Sequence, residues 1–150
     1  MNMDVFKTIY EHLHKVVPNI DQLKVGDRLR LSAPQFMDLH VEILRREGGG
    51  RTVISLAHYF EQEGDLMADP EMEVAVVPNL KLAEALSITQ HALGIYREVY
   101  PQPGKVNIDE KKGQNDFLAT WLNNLIMQGH RPCEETPPEI AQRLNGARAY

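Results

Sequence analysis

Cysteine is nearly absent from the chain: its 150 residues contain one, Cys133. No disulfide can form within the chain, so a hydrophobic core must hold the fold together. Cys133 lies between Pro132 and two glutamates, a setting that does not favour a thiolate. These features exclude a disulfide-stapled scaffold and disfavour a catalytic cysteine.

The chain also lacks an excess of positive charge. Sixteen Lys and Arg against 21 Asp and Glu give a formal net charge of −5, and the basic residues are scattered. A nucleic-acid-binding surface normally gathers Lys and Arg on one face. We therefore expect no nucleic-acid partner, and we interpret Arg45, Arg46 and Arg51 as a solvated sheet edge.

Long apolar runs are missing as well. No stretch approaches the about 20 residues that a membrane-spanning helix requires, and residues 1–4 do not lead from cationic residues into an apolar run. The content of 43% hydrophobic and 25% charged residues is ordinary for a soluble domain. We expect one domain over residues 1–150, located in the cytoplasm and without membrane contact.

The clearest pattern that is present predicts a β-hairpin over residues 36–63, centred on three consecutive glycines at 48–50. Large side chains occupy alternate positions in both arms: Met37, Leu39, Val41 and Ile43, then Ile54, Leu56, His58 and Phe60. A period of two is typical of strands that bury one face. The way the two arms pair decides which polar residues meet.

A symmetric three-glycine loop is one possible register. It would pair Glu47 with Arg51 and place His40 opposite His58, with Glu42 two residues away on the same face. Two histidines and one carboxylate in this arrangement would resemble a metal site. However, this register would put the large side chains of the second arm on the wrong face.

A two-residue turn at 49–50 shifts the pairing by one residue, and glycine supplies the positive φ values that such turns need. Apolar residues then meet across the hairpin, with Ile43 opposite Leu56. We favour this register, in which His58 is a core histidine that needs a hydrogen-bond partner. Because His40 then lies on the other face, we expect neither a metal site nor a cofactor.

Five polar residues share that other face in the favoured register: Asp38, His40, Glu42, Tyr59 and Glu61. If the face forms a pocket, three of them could act in general acid–base catalysis: His40, Glu42 and Tyr59. A neighbouring carboxylate would raise the pKa of the histidine. The alternative is a face that is simply exposed to water, as is common in antiparallel sheets.

Carboxylates are frequent after the second arm, in a segment that we interpret as a solvated acidic loop: Glu61, Glu63, Asp65, Asp69, Glu71 and Glu73. Their spacing departs from that of a calcium-binding EF-hand loop. Ion binding by this loop is the alternative interpretation.

Periodic apolar residues predict an amphipathic helix over 4–17 and a long helix over 109–129. Alternating patterns predict the remaining strands, at 25–31, 72–76, 82–88 and 95–99. With the hairpin, this makes an α+β fold: an antiparallel meander of about six strands with the long helix packed across it.

The C-terminal segment carries its own helix signals. Thr136 and Glu139 form a capping box with proline in the first turn, which predicts a short terminal helix through Leu144. Residues 134–150 could dock on the domain itself or on a partner.

Short motifs in the second half of the chain are shared with a known family: Pro70, Met72 and Val74, Ala83-Glu84, Tyr100-Pro101, Asp109-Glu110-Lys111, Gln114-Asn115, Phe117-Leu118-Ala119, and Trp121-Leu122 through Gly129. On these residues the chain resembles a divergent member of the YqiB-like proteins, a bacterial domain family of unknown function. Residues 58–65 depart from the family pattern. The resemblance implies a bacterial cytoplasmic protein of one domain, and it supplies no activity, cofactor or catalytic residue.

We therefore expect a non-catalytic interaction or accessory protein that binds a protein partner through the acidic sheet face. That face consists of Asp38, His40, Glu42, Tyr59 and Glu61, and its charge suits a basic partner. The alternative function is a small-molecule or metal-dependent enzyme that uses His40, Glu42 and Tyr59.

Overall fold

The fold is α+β, as predicted. The computed structural model describes residues 4–133, 137–140 and 142–143. Within them the chain forms α1 (Asp4–Val16), β1 (Arg28–Ser32), β2 (Leu39–Glu47), β3 (Arg51–Gln62), β4 (Asp65–Val77), β5 (Leu82–Gln90), β6 (Ile95–Glu98), α2 (Ile108–Gln128) and β7 (Arg131–Pro132). A short C-terminal helix includes residues 138–140 and 142–143, whereas Thr136 of the predicted capping box lies outside the described residues.

All neighbouring strands are antiparallel, and their order in the sheet is β6-β5-β4-β3-β2-β1-β7. The first six strands follow chain order, which confirms the predicted meander. The seventh strand was not predicted. It contains two residues, one of them Pro132 paired with Leu31, and a segment this short carries no periodic pattern.

The predicted two-residue turn of the β2–β3 hairpin is wrong. Glu47 pairs with Arg51, so all three residues of Gly48–Gly50 form the loop. Gly49 and Gly50 have φ values of 78° and 76°, in the left-handed region that favours glycine.

The expected burial of apolar residues from both arms on one face is nevertheless confirmed, because a β-bulge shifts the strand pairing by one residue. The register shifts between Ile43 and Arg45, so that Ile43 pairs with Ile54 and Val41 pairs with Leu56. A bulge places one extra residue in one strand, which here is Leu44. As a result His40 lies opposite Ala57 and not opposite a second histidine.

The two long helices, α1 and α2, pack on one face of the sheet. A single hydrophobic cluster contains Ile9 and Leu13 of α1, Leu118 and Leu122 of α2, and alternate residues of three strands: Val41, Ile43, Ile54, Leu56, Met72 and Val74. The intervening residues of these strands point away from the helices. We call that side, which includes His40, Glu42, Ser55, Tyr59 and Glu71, the outer face.

The predicted acidic loop is instead a continuation of the sheet. β3 extends to Gln62 and β4 begins at Asp65, with a tight turn at Glu63 and Gly64 between them. The carboxylates of residues 61–73 are therefore spread along two extended strands and the turn between them. Among the residues that the structure describes, no three His, Cys, Asp or Glu side chains are grouped as metal ligands would be.

None of the helices in the described part of the chain is both long enough and apolar enough to cross a membrane.

Candidate functional site

The outer face contains a pocket with a volume of about 390 Å³ over the first three strands. It is lined by Arg28, Leu29, Arg30, His40, Val41, Glu42, Ser55, Tyr59 and Pro137. Three of the residues that the sequence singled out, His40, Glu42 and Tyr59, therefore lie in one concavity. We call it the His40 pocket.

Strand register brings the polar residues of the pocket together. Arg30 pairs with His40 across β1 and β2, and Arg28 pairs with Glu42 in the next outward-facing row. Glu42 in turn pairs with Ser55 of β3. Directly opposed residues in an antiparallel pair have their Cβ atoms about 5 Å apart, so one row of the sheet positions three polar side chains at once.

His40 lies against the ring of Tyr59, edge to face. Their ring centroids are 5.0 Å apart and the ring planes are inclined by 67°. Burial lowers the pKa of His40, and the charge of Arg30 adds to this effect while that of Asp38 opposes it. The sequence-based expectation of a raised pKa is thus wrong, because desolvation of the ring outweighs the nearby carboxylate.

Two hydroxyl groups on the outer face donate to the same carboxylate. The Tyr59 hydroxyl is 3.2 Å from Glu71 Oε2, and the Ser55 hydroxyl is 3.3 Å from the same oxygen. Burial, followed by the negative charge of Glu71, raises the pKa of Tyr59. Tyr59 therefore serves as a hydrogen-bond donor and not as a phenolate.

The charges of the outer face are paired, so the face is less acidic than the sequence suggested. Arg28 Nη2 lies 3.3 Å from Glu42 Oε2, and Arg30 Nε lies 3.5 Å from Asp38 Oδ2. Sequence reasoning missed both arginines as site residues. The sequence does indicate that they share the polar face of a strand, because they alternate with leucines in the predicted strand 25–31.

Two of the predicted partner-binding residues lie outside the pocket lining. Asp38 is in the loop before β2 and reaches the pocket through its ion pair with Arg30. Glu61 is exposed near the end of β3, two residues beyond Tyr59. Sequence reasoning also missed Pro137, which joins the lining from the C-terminal segment and has no periodic relationship to the strands.

His58 lies on the helix-covered side, as predicted for a core histidine. Its Nδ1 is 2.8 Å from the carbonyl oxygen of Asp38, and its Nε2 accepts a hydrogen bond from Trp121 Nε1 at 3.0 Å. Burial lowers the pKa of His58, and the charge of His130 contributes to this shift. The two histidines of the hairpin therefore do not form a common ligand set.

No curated protein and no solved structure matches the chain. A family match covers residues 6–131, from α1 to β7, and the family is described as a domain of unknown function, DUF6908. The chain therefore belongs to the DUF6908 family.

Proposed function

We propose that this domain is a non-catalytic interaction or accessory protein of the bacterial cytoplasm that binds a protein partner through its outer face. The observation that supports the proposal is the position of the helices. Both α1 and α2 contribute to the hydrophobic cluster on the opposite face, so neither of these two long helices covers the strands around the His40 pocket. An open, concave surface that combines an aromatic side chain with charged ones suits a partner protein.

The contact residues of the proposal are Asp38, His40, Glu42, Tyr59 and Glu61. Tyrosine contributes a large apolar ring together with a polar hydroxyl, and it is enriched at protein interfaces. Since Arg28 and Arg30 share this surface with the carboxylates, a partner with charges of both signs fits better than a uniformly basic one.

The pairing of polar groups favours binding over catalysis. Glu42 is engaged by Arg28, and the hydroxyl of Tyr59 donates to Glu71. Within the described residues, no carboxylate is hydrogen-bonded to His40, so the ring has no group to orient it as a general base. Each candidate catalytic side chain thus makes a contact within the fold, and its position can be explained without a catalytic role.

The proposed bacterial origin and the proposed cytoplasmic location are supported by different observations. The YqiB-like motif residues of α2, from Gln114-Asn115 to Trp121-Leu122, support a bacterial protein. A chain with one cysteine has no need of an oxidising compartment, which supports the cytoplasm.

Site-specific photocrosslinking tests the proposal. A photoreactive phenylalanine analogue replaces Tyr59 in one variant and Met127 in the other, and both are irradiated in cells. Met127 is a matched control because it is 78% exposed and lies on α2, away from the outer face. We expect one discrete protein adduct from position 59 and none from position 127. The same adducts from both positions, or none from either, would refute binding through this face.

A second candidate function is a small-molecule or metal-dependent enzyme that uses His40, Glu42 and Tyr59. One observation favours it: the three residues meet in a pocket of about 390 Å³, a volume within the range of small-molecule sites. In that case His40→Ala should abolish an activity or metal uptake while the melting temperature stays nearly constant. Our proposal instead expects His40→Ala to weaken the crosslink at position 59.

A further inference from the structure

The two edges of the sheet differ in how they end. β7 closes one edge with two residues, and one of them is Pro132, which has no N–H to offer a further strand. β6 forms the other edge, and its residues Ile95–Glu98 include neither proline nor lysine, two common protections of an exposed edge. In the described part of the chain no strand lies beside β6 on its outer side.

The direction of the backbone groups of β6 follows from one hydrogen bond. The Val99 N–H donates to the Leu86 carbonyl oxygen of β5 at 2.9 Å. In an antiparallel strand the N–H and C=O of one residue point to the same side, and this side alternates along the chain. Arg97 therefore directs its backbone groups toward β5, whereas Tyr96 and Glu98 direct theirs away from the sheet. These outward groups are free to pair with a further strand.

The side chains of Tyr96 and Glu98 are complementary to each other. Tyr96 is 59% exposed, and its hydroxyl donates to Glu98 Oε1 at 2.7 Å. The edge thus carries a hydrogen-bond donor and a charged acceptor two residues apart, on the same side of the strand. An antiparallel copy of this strand presents the same two groups in reverse order.

One register brings these groups together across a twofold axis. With the axis at Arg97, Tyr96 lies opposite Glu98 of the second copy, and each such pair exchanges both of its backbone N–H···O bonds. An axis at Glu98 would oppose two carboxylates. An axis at Tyr96 would instead require Gly94, which lies outside β6 in the left-handed region with φ of 64°. The edge is therefore self-complementary in the register centred on Arg97.

Arg97 faces its own copy in this register. Like charges that are directly opposed across two strands are destabilising. However, Glu110 Oε2 lies 3.6 Å from Arg97 Nη1 in each copy, so a carboxylate offsets each positive charge. The remaining repulsion and the short length of β6 predict a weak, concentration-dependent association.

We propose that β6 is a self-association edge, through which two copies of this chain pair antiparallel along Ile95–Glu98 and join their sheets into one. The partner is thus a second copy of the chain. This inference does not depend on the proposed function, because the His40 pocket lies over the first three strands, away from β6.

The test is sedimentation velocity of the full chain over a range of protein concentrations. We expect the wild type to change from monomer to dimer as its concentration rises. Glu98→Pro and Glu98→Ala form a matched pair, because both remove the carboxylate and only proline removes the outward N–H. Proline is tolerated on an edge strand whose N–H faces solvent, so the fold should persist. We expect Glu98→Pro to stay monomeric and Glu98→Ala still to dimerise.

Arg97→Gln should change the dimer affinity in the opposite direction. It removes the two like charges that face each other on the axis, so we expect dimerisation to tighten about fivefold.

Hydrogen exchange locates the interface even if Glu98→Pro does not fold. The amides of Tyr96 and Glu98 should exchange more slowly at high protein concentration than at low concentration. The Arg97 amide is the internal control, because it already points toward β5, and its exchange should not change with dimerisation.

A wild-type chain that stays monomeric at every concentration would overturn the inference. Equal dimerisation of wild type and a folded Glu98→Pro variant would do so as well, because the outward N–H would then be dispensable. Concentration-dependent protection that leaves the Tyr96 and Glu98 amides unchanged would place the contact on another surface and would also reject the β6 edge.

Discussion

At the scale of single residues, His58 links the sheet to the long helix. It donates from Nδ1 to the Asp38 carbonyl oxygen and accepts at Nε2 from Trp121. A ring that accepts at one nitrogen must be the neutral imidazole. Burial lowers its pKa below the ordinary value of 6.5, in agreement with this hydrogen-bonding pattern.

This lowered pKa predicts a specific pH dependence of stability. The unfolded chain takes up a proton at His58 near pH 6.5, whereas the folded protein does so only at lower pH. The free energy of unfolding therefore decreases as the pH falls from about 7 to about 5. His58→Gln removes this titration, so its free energy of unfolding should fall less over that range. Urea unfolding, monitored by the fluorescence of the single tryptophan, measures the difference.

His14 provides a control because its pKa is shifted upward, opposite to the shift of His58. Although burial opposes it, the hydrogen bonds to Asp21 and to the Tyr10 carbonyl oxygen raise the pKa of His14. Its contribution to stability is present below the unfolded-state pKa and is lost as the pH rises through the folded-state pKa. His14→Gln should therefore steepen the decrease in stability on acidification. Identical pH slopes for wild type and His58→Gln would contradict the assignment of a neutral core histidine.

At the scale of elements, Asn115 joins α2 to β5 where the pairing of that strand is irregular. The register shifts between Ser87 and Ala85 opposite β4. The Ala85 N–H donates to Asn115 Oδ1 at 2.8 Å, and Asn115 Nδ2 donates to the Lys111 carbonyl oxygen at 2.7 Å. Since Asn115 is fully buried, no water is available to replace these contacts.

Asn115→Ala should lower the free energy of unfolding by about 1–3 kcal/mol, because it leaves a buried backbone N–H without an acceptor. Asn123→Ala on the same helix is the matched control. Its side chain is exposed and contacts Met127 Sδ at 3.6 Å, so we expect a change within about 0.5 kcal/mol. Chemical denaturation of both variants provides the comparison, and equal losses would disprove the bridging role of Asn115.

The helices were predictable because their boundaries are marked by local chemistry. The acidic residues Asp109 and Glu110 stand in the first turn of α2, and Gly129 ends the helix in the left-handed conformation with φ of 81°. The turn of the β2–β3 hairpin was mispredicted because the bulge at Leu44 has no sequence signature. Burial of Ile43 against Ile54 across the hairpin selects the bulge, and burial is a property of the folded chain.

At the scale of the whole molecule, the candidate site depends on segments that are distant in sequence. His40, Glu42 and Tyr59 could be placed on one face from the alternation within the hairpin. Arg28 and Pro137 come from either side of it, and only the strand order and the path of the C-terminal segment bring them there. A pattern within one strand shows which residues share a face, whereas the tertiary fold decides which face the helices cover.

The measurement that tests the central claim most directly is the yield of photocrosslinked adduct at position 59 relative to position 127. If the outer face, opposite α1 and α2, is the docking surface, a defined partner is captured at position 59 alone, and Glu42→Lys reduces its yield. Capture that is equal at both positions, or present at position 127 alone, would contradict the account.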